Sequence, residues 1–183
     1  SALGRPALAA RSIGAGAIAR APAPAKASRP PGVDLVFIMG KDRTKRNPFY
    51  SEAVKYFRAQ LPGATLINDE AHRSLETVFG YLRQHPNRVA NLYLVSHANE
   101  DGTLSFPIGS TDKDRKTSYG ELDKALTDSP ERFGLPKGVV DAETVIRIKG
   151  CNIGRSTRML DALDRAFGGA AKVVAPTHKQ VYG

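Results

Sequence analysis

The chain has 183 residues, 41% hydrophobic and 25% charged, with one cysteine and a formal net charge of +9. That length carries one domain with a real core, and a single cysteine excludes an internal disulfide framework and any multi-cysteine zinc site. No apolar run approaches the ~20 residues of a membrane span, which argues against an integral membrane protein.

The charge is unevenly divided. Residues 1–32 contain Arg5, Arg11, Arg20, Lys26 and Arg29 and no acid, whereas residues 33–183 hold the other 22 basic and all 18 acidic residues. The segment 1–32 is rich in Ala, Pro and Gly, buries little, and reads as a disordered basic linker or tail. A mitochondrial-type targeting peptide is the competing reading of this acid-free run. Its prolines and the missing initial Met point instead to a piece of a longer polypeptide. With most of the imbalance in the tail, nucleic acid is not an expected partner of the folded part.

From Val33 the composition changes. VDLVFIMG (33–40) is a branched apolar run of the kind that forms a strand buried on both faces. Asn47-Pro48 opens a helix with Val54, Phe57 and Leu61 at helical spacing, closed by Pro62-Gly63. ATLIN (64–68) reads as a second strand. Leu75, Val78, Phe79 and Leu82 form an apolar stripe, predicting an amphipathic helix over 71–85 that stops before Pro86. NLYLVSHA (91–98) is the third strand, followed by an Asp101-Gly102 turn and TLSF, the start of a small surface hairpin. STDKDRKT (110–117) is a charged loop. Ser118 and Glu121 make a capping box for a helix through Thr127. TVIRIKG (144–150) is the fourth strand. Asn152 is expected to cap the next helix, whose Leu160, Leu163 and Phe167 face inward before Gly168-Gly169 closes it. AKVVAP (171–176) is the fifth strand. Strands alternating with helices predict an α/β fold, with a mainly parallel sheet of five to six strands and helices on both faces.

In open α/β sheets, sites form at the carboxyl ends of strands. His97 ends the third strand and Cys151 the fourth, so neighbouring strands would bring imidazole and thiol together. A helix starting directly after Cys151, with Lys149 and Arg155 close in sequence, would favour the thiolate. Strand alternation puts Arg147, Lys149 and Cys151 on one face and Ile146 and Ile148 on the other. Two cations are costly to bury on a central strand and are expected to line a cleft. Other candidates carry less. His178 is a rival base read as a rim residue, and His72 and His85 are read as solvated. Asp101 could orient the His97 ring but is better explained by its Asp-Gly turn, and Glu100 reads as a loop charge. Ser96 lacks a G-x-S-x-G context, and Gly150 and Gly154 lack the P-loop order. No H-E-x-x-H or carboxylate cluster with metal spacing is present, so neither metal nor organic cofactor is expected.

LYLVSHANEDG, followed 54 residues after its histidine by the cysteine of IRIKGCNIGRS, resembles the caspase-like clan of cysteine peptidases. That clan includes caspases, metacaspases, gingipains, clostripain and CHAT-type proteases, and the resemblance, to a bacterial member, covers roughly residues 33–178. It implies a caspase-like three-layer sandwich over 33–183, truncated at its C-terminal end. Cys151 would be the nucleophile of a Cys–His dyad, His97 the general acid/base, and the amides of Ala98 and Cys151 the oxyanion donors. The clan usually has Gly after the histidine, where this chain has Ala98, and the surroundings of Cys151 match neither the caspase nor the metacaspase pattern. In relatives, the residue two before the cysteine lines the specificity pocket. Here it is Lys149, which with Arg147 and the Lys41 and Asp42 loop implies an acidic side chain before the cut. A protein or peptide substrate, a toxin or effector module of a larger protein, and a cytoplasmic or delivered location follow from the same resemblance. Two alternatives stand beside it. One is a catalytically inactive caspase-like or flavodoxin-like module binding a partner or anionic ligand, and the other is a nucleic-acid-binding effector acting through its tail.

Overall fold

Branched apolar residues on both faces of 33–38 call for cover on both sides, and the structure supplies it. The computed structural model describes residues 31–112, 115–177 and 182; most of the expected tail (1–30), His178 and part of the 110–117 loop lie outside the described residues. Gly32–Gly183 forms one compact unit. Five strands, β1 (Val33–Ile38), β2 (Thr65–Ile67), β3 (Val89–Val95), β4 (Val145–Lys149) and β5 (Lys172–Val174), pair in the order β2-β1-β3-β4-β5. Every pairing is parallel. Four α-helices connect them: α1 (Phe49–Gln60), α2 (Leu75–Gln84), α3 (Tyr119–Asp128) and α4 (Thr157–Ala166).

Side-chain alternation sorts the sheet into two cores. Leu35 and Phe37 of β1, Leu92 and Leu94 of β3, and Ile146 and Ile148 of β4 pack with α2, Leu122 of α3, and Met159, Ala162 and Leu163 of α4. Val36 and Ile38 of β1 and Val95 of β3 face the other way, against Phe49, Tyr50, Ala53, Val54 and Phe57 of α1. The result is an α/β three-layer sandwich with α1 on one face and α2, α3 and α4 on the other.

Helix starts follow local capping chemistry. Ser118 and Glu121 form the expected capping box of α3. The helix expected over 71–85 begins only at Leu75, where Ser74 and Thr77 form a second box; Glu70–His72 is a separate 3₁₀ turn. The helix after Cys151 also starts later than expected. Asn152 adopts a left-handed backbone (φ 57°) and caps nothing, Ile153–Arg155 is a 3₁₀ turn, and Ser156 caps α4 instead. The surface hairpin is reduced to two antiparallel bridges, Ala98 with Leu104 and Leu104 with Thr117.

β1 feeds β2 on one side, and the chain then crosses to β3 on the other. Its connections therefore leave for opposite faces, and a crevice opens at the carboxyl ends of β1 and β3.

Candidate active site

β3 and β4 run in unbroken register from Asn91 opposite Val145 to Val95 opposite Lys149. One step further, the Ser96 amide still donates to the Lys149 carbonyl at 3.1 Å. His97 and Cys151 each lie two residues past the last paired positions, Val95 and Lys149, on strands that run roughly 5 Å apart. Gly150 keeps the tips close, because a β-carbon there would lie 2.7 Å from the Ser96 oxygen and 3.0 Å from Ala98 Cβ. Arg147 stacks over Tyr93 (5.6 Å to the ring centroid), whose side chain packs with the α1 core. Alternation therefore turns Lys149 toward the α1 face of the sheet, and Cys151 follows in the turn just beyond β4.

His97 is held by the first turn of α1. Its ring stacks on Phe49 at 4.4 Å and 30°, and meets the edge of Tyr50 at 5.0 Å and 79°. The Tyr50 hydroxyl accepts the His97 amide at 3.0 Å, so one residue fixes both ring and backbone. Burial holds the Tyr50 phenol above its ordinary pKa despite that hydrogen bond. For His97, burial pulls the imidazole below its ordinary value; Asp42 opposes this and Lys116 adds to it. Burial thus favours the neutral ring, the form that accepts a thiol proton. Asp101 plays no part in orienting it: its carboxylate accepts the Thr103 amide at 2.9 Å, closing the turn.

Ala98 sits in the bridge to Leu104 that is framed by the bonds Ser105 to His97 (3.0 Å) and Asn99 to Thr103 (3.0 Å). In that pattern the Ala98 amide turns away from Leu104 and toward Gly150, whose β-carbon position is 3.8 Å from it. The thiol's electrostatic setting differs from expectation. α4 begins only at Thr157, so no α-helix starts directly after Cys151. Arg155 donates to Glu100 at 3.1 Å and to the Thr177 carbonyl at 3.0 Å.

The four residues expected to share one pocket divide into two groups. A crevice of about 1010 Å³ at the β1–β3 mouth is lined by Lys41, Asp42, Arg43, Arg73, Arg115, Lys116, His97 and Ala98, among others. Lys149, Arg147 and Cys151 lie one strand over, outside that lining. Arg147 is further removed, its Nε donating to Asn91 at 3.0 Å while Asn91 donates to Asp34 at 2.9 Å. Lys149 is half-buried, and burial, with Arg147 beside it, lowers its pKa. Lys41 pairs with Glu70 at 3.3 Å on the exposed rim.

Asp42 is also a cap for α1, accepting the amides of Tyr50 (2.8 Å) and Ser51 (3.1 Å) where Pro48 offers no side-chain cap. Burial would raise its pKa, but the hydrogen bonds from Ser51 and Tyr50, with a smaller pull from His97, outweigh it and hold the carboxyl below the ordinary value. Asp42→Asn is expected to cost ~1 kcal/mol at pH 7 in urea unfolding. The difference should vanish as pH falls through Asp42's own titration, because a carboxylate with a depressed native pKa stabilises only while ionised. The same change removes the one anion acting on the imidazolium, so the His97 proton resonance should titrate at lower pH.

Phe49, Tyr50 and Arg73 were not foreseen as site residues, although the aromatic pair directly after Asn47-Pro48 was a visible signal for the first two. Arg73 donates to the Ile38 carbonyl and to Asn68, tying down the end of β1, and its Nε is buried with no hydrogen-bond partner. Among the described residues no group of three or more His, Cys, Asp or Glu gathers as a metal site, and no helix is long and apolar enough to cross a membrane. No family model, curated protein or solved structure matches the chain.

Proposed function

We propose that the chain is a cysteine endopeptidase of caspase-like type, with Cys151 as nucleophile and His97 as general acid/base. The observation that supports this reading is the parallel pairing of β3 and β4, in register as far as Val95 and Lys149, with His97 and Cys151 each two residues beyond the last paired position. His97 takes the thiol proton, and the Cys151 sulfur attacks the scissile carbonyl carbon, moving the C=O electron pair onto oxygen. The amides of Ala98 and Cys151 receive that oxyanion. Collapse expels the amine, which takes the proton from His97 and leaves a thioester. Water, deprotonated by His97, attacks the thioester carbon, and the peptide acid and thiol are released.

Specificity for an acidic residue before the cut is supported by charge. Five cations line the crevice against two acids, Asp42, which caps α1, and Glu70, which pairs with Lys41, while Arg115 pairs with Glu121 at its rim. This shifts the pocket from Lys149 and Arg147 to Lys41, Arg43, Arg73, Arg115 and Lys116. A module function inside a larger toxin or effector protein fits the same reading.

A peptide library incubated with the chain and with a Cys151→Ala control tests both parts. Cleavage after Asp or Glu that disappears in the control is the expected result. Cleavage mainly after Arg or Lys would overturn the acidic preference, and no Cys151-dependent cleavage would overturn the peptidase. In that last case the cation-lined crevice favours the second reading, a non-catalytic module that binds an anionic ligand.

A further inference from the structure

Tyr182 lies against three rings of α1, with centroid separations of 5.2 Å to Tyr56, 5.5 Å to Phe49 and 5.8 Å to Phe57. Its hydroxyl is buried and has no hydrogen-bond partner, an arrangement that costs free energy because the group has given up water for nothing. Burial drives the phenol's pKa well above its ordinary value, with Tyr56 and Cys151 pushing the same way. The recess therefore suits the ring and makes no provision for the polar end. One of its walls, Phe49, is the ring on which His97 stacks. Tyr182 also interacts electrostatically with Cys151, so what fills the recess lies between the ring that holds His97 and the surroundings of the thiol.

We propose that the recess formed by Phe49, Tyr56 and Phe57 is a binding pocket for an aromatic side chain of a peptide substrate, and that the chain's own Tyr182 fills it in competition with that substrate. The proposal rests on the peptidase reading for its biological meaning. A recess walled by three aromatic rings, each tilted against the Tyr182 ring, selects rings over branched aliphatic side chains. A Tyr already in place sets a threshold that an incoming ligand must overcome, since only differential affinity shifts an equilibrium between closed and open forms.

The test reads thiol access rather than turnover. Alkylation of Cys151 by iodoacetamide is followed by mass spectrometry in the full chain and in Y182A and Y182F, with and without N-acetyl-tyrosinamide. Y182A should react about tenfold faster, as expected when a mostly occupied recess opens, and Y182F should keep the parent's slow rate. Added N-acetyl-tyrosinamide should slow Y182A saturably, while N-acetyl-alaninamide should not. An unchanged rate in Y182A, or a fast Y182A indifferent to N-acetyl-tyrosinamide, overturns the pocket. Melting curves accompany every variant; if Y182A is unfolded at the working temperature, Y182L replaces it and the same two outcomes decide. Ring-dependent protection without any peptide cleavage would keep the pocket and sink the peptidase. Cleavage without ring dependence would do the reverse.

Discussion

Cys151→Ala should lower hydrolysis of an acidic fluorogenic peptide by at least about 10³-fold, and His97→Ala by about 10²- to 10⁴-fold. The first change removes the atom that bonds to the substrate, so only water attack in the oriented site remains. The second leaves the thiol in place but removes the base that ionises it and the acid that protonates the departing amine. The double variant should be no worse than Cys151→Ala alone, because residues acting as one unit do not contribute additively. Cys151 is only half-buried, so its truncation should move the urea midpoint little. His97 also packs on Phe49 and Tyr50, so His97→Gln keeps more of that contact and separates lost chemistry from lost packing. Retained activity in Cys151→Ala, or equal iodoacetamide rates in the parent and His97→Gln, would remove the dyad from consideration.

The sheet was legible because its alternation is clean. Leu35 and Phe37 against Val36 and Ile38, and Ile146 and Ile148 against Arg147 and Lys149, assign both faces without reference to any other strand. The α3 start was legible because its capping box uses Glu at the third helical position, the commonest form. The α2 start was not, because Thr77 does the same work there. α1 hides its cap altogether, since Asp42 reaches it across a loop rather than from the preceding residue. Asn152 misled for a physical reason. The short amide side chain that caps helices also tolerates the left-handed backbone, and the chain uses it for the turn.

The site was legible in part. Counting along two strands brings His97 and Cys151 to neighbouring carboxyl ends if the strands are neighbours; β3 and β4 are neighbours, and both residues lie two positions past the last paired ones. The same counting overreached for Arg147. Alternation fixes which face a side chain takes but not how far down the strand it lies, and Arg147 sits two residues, roughly 7 Å, back from the end of β4 at Lys149. Arg147 consequently serves the sheet through Asn91 and Tyr93 instead of the crevice. The crevice cations Arg73, Arg115 and Lys116 come from α2's approach and from the loop before α3, whose positions depend on tertiary packing that no local spacing records.

Gly150→Ala tests whether the closeness of the strand tips is what the chemistry needs. The new methyl would lie 2.7 Å from the Ser96 carbonyl oxygen, a backbone atom that cannot rotate aside, and 3.0 Å from Ala98 Cβ. Relief requires the ends of β3 and β4 to part, which should cost ~1–3 kcal/mol as overpacking does. That movement carries Cys151 away from His97 and from the Ala98 amide together. A shift approaching 1 Å costs a reaction about 10²-fold, so peptide hydrolysis should fall by that order while the core survives. Gly80→Ala supplies the comparison, because it sits within α2 with no neighbour inside 4 Å of its β-carbon position. That change should raise stability by ~0.5–1 kcal/mol. Combined with Gly150→Ala, it should restore part of the lost urea resistance and none of the lost activity. If activity returns with stability, the tips matter only for folding; if Gly150→Ala is fully active, the pairing of His97 with Cys151 is not the catalytic geometry.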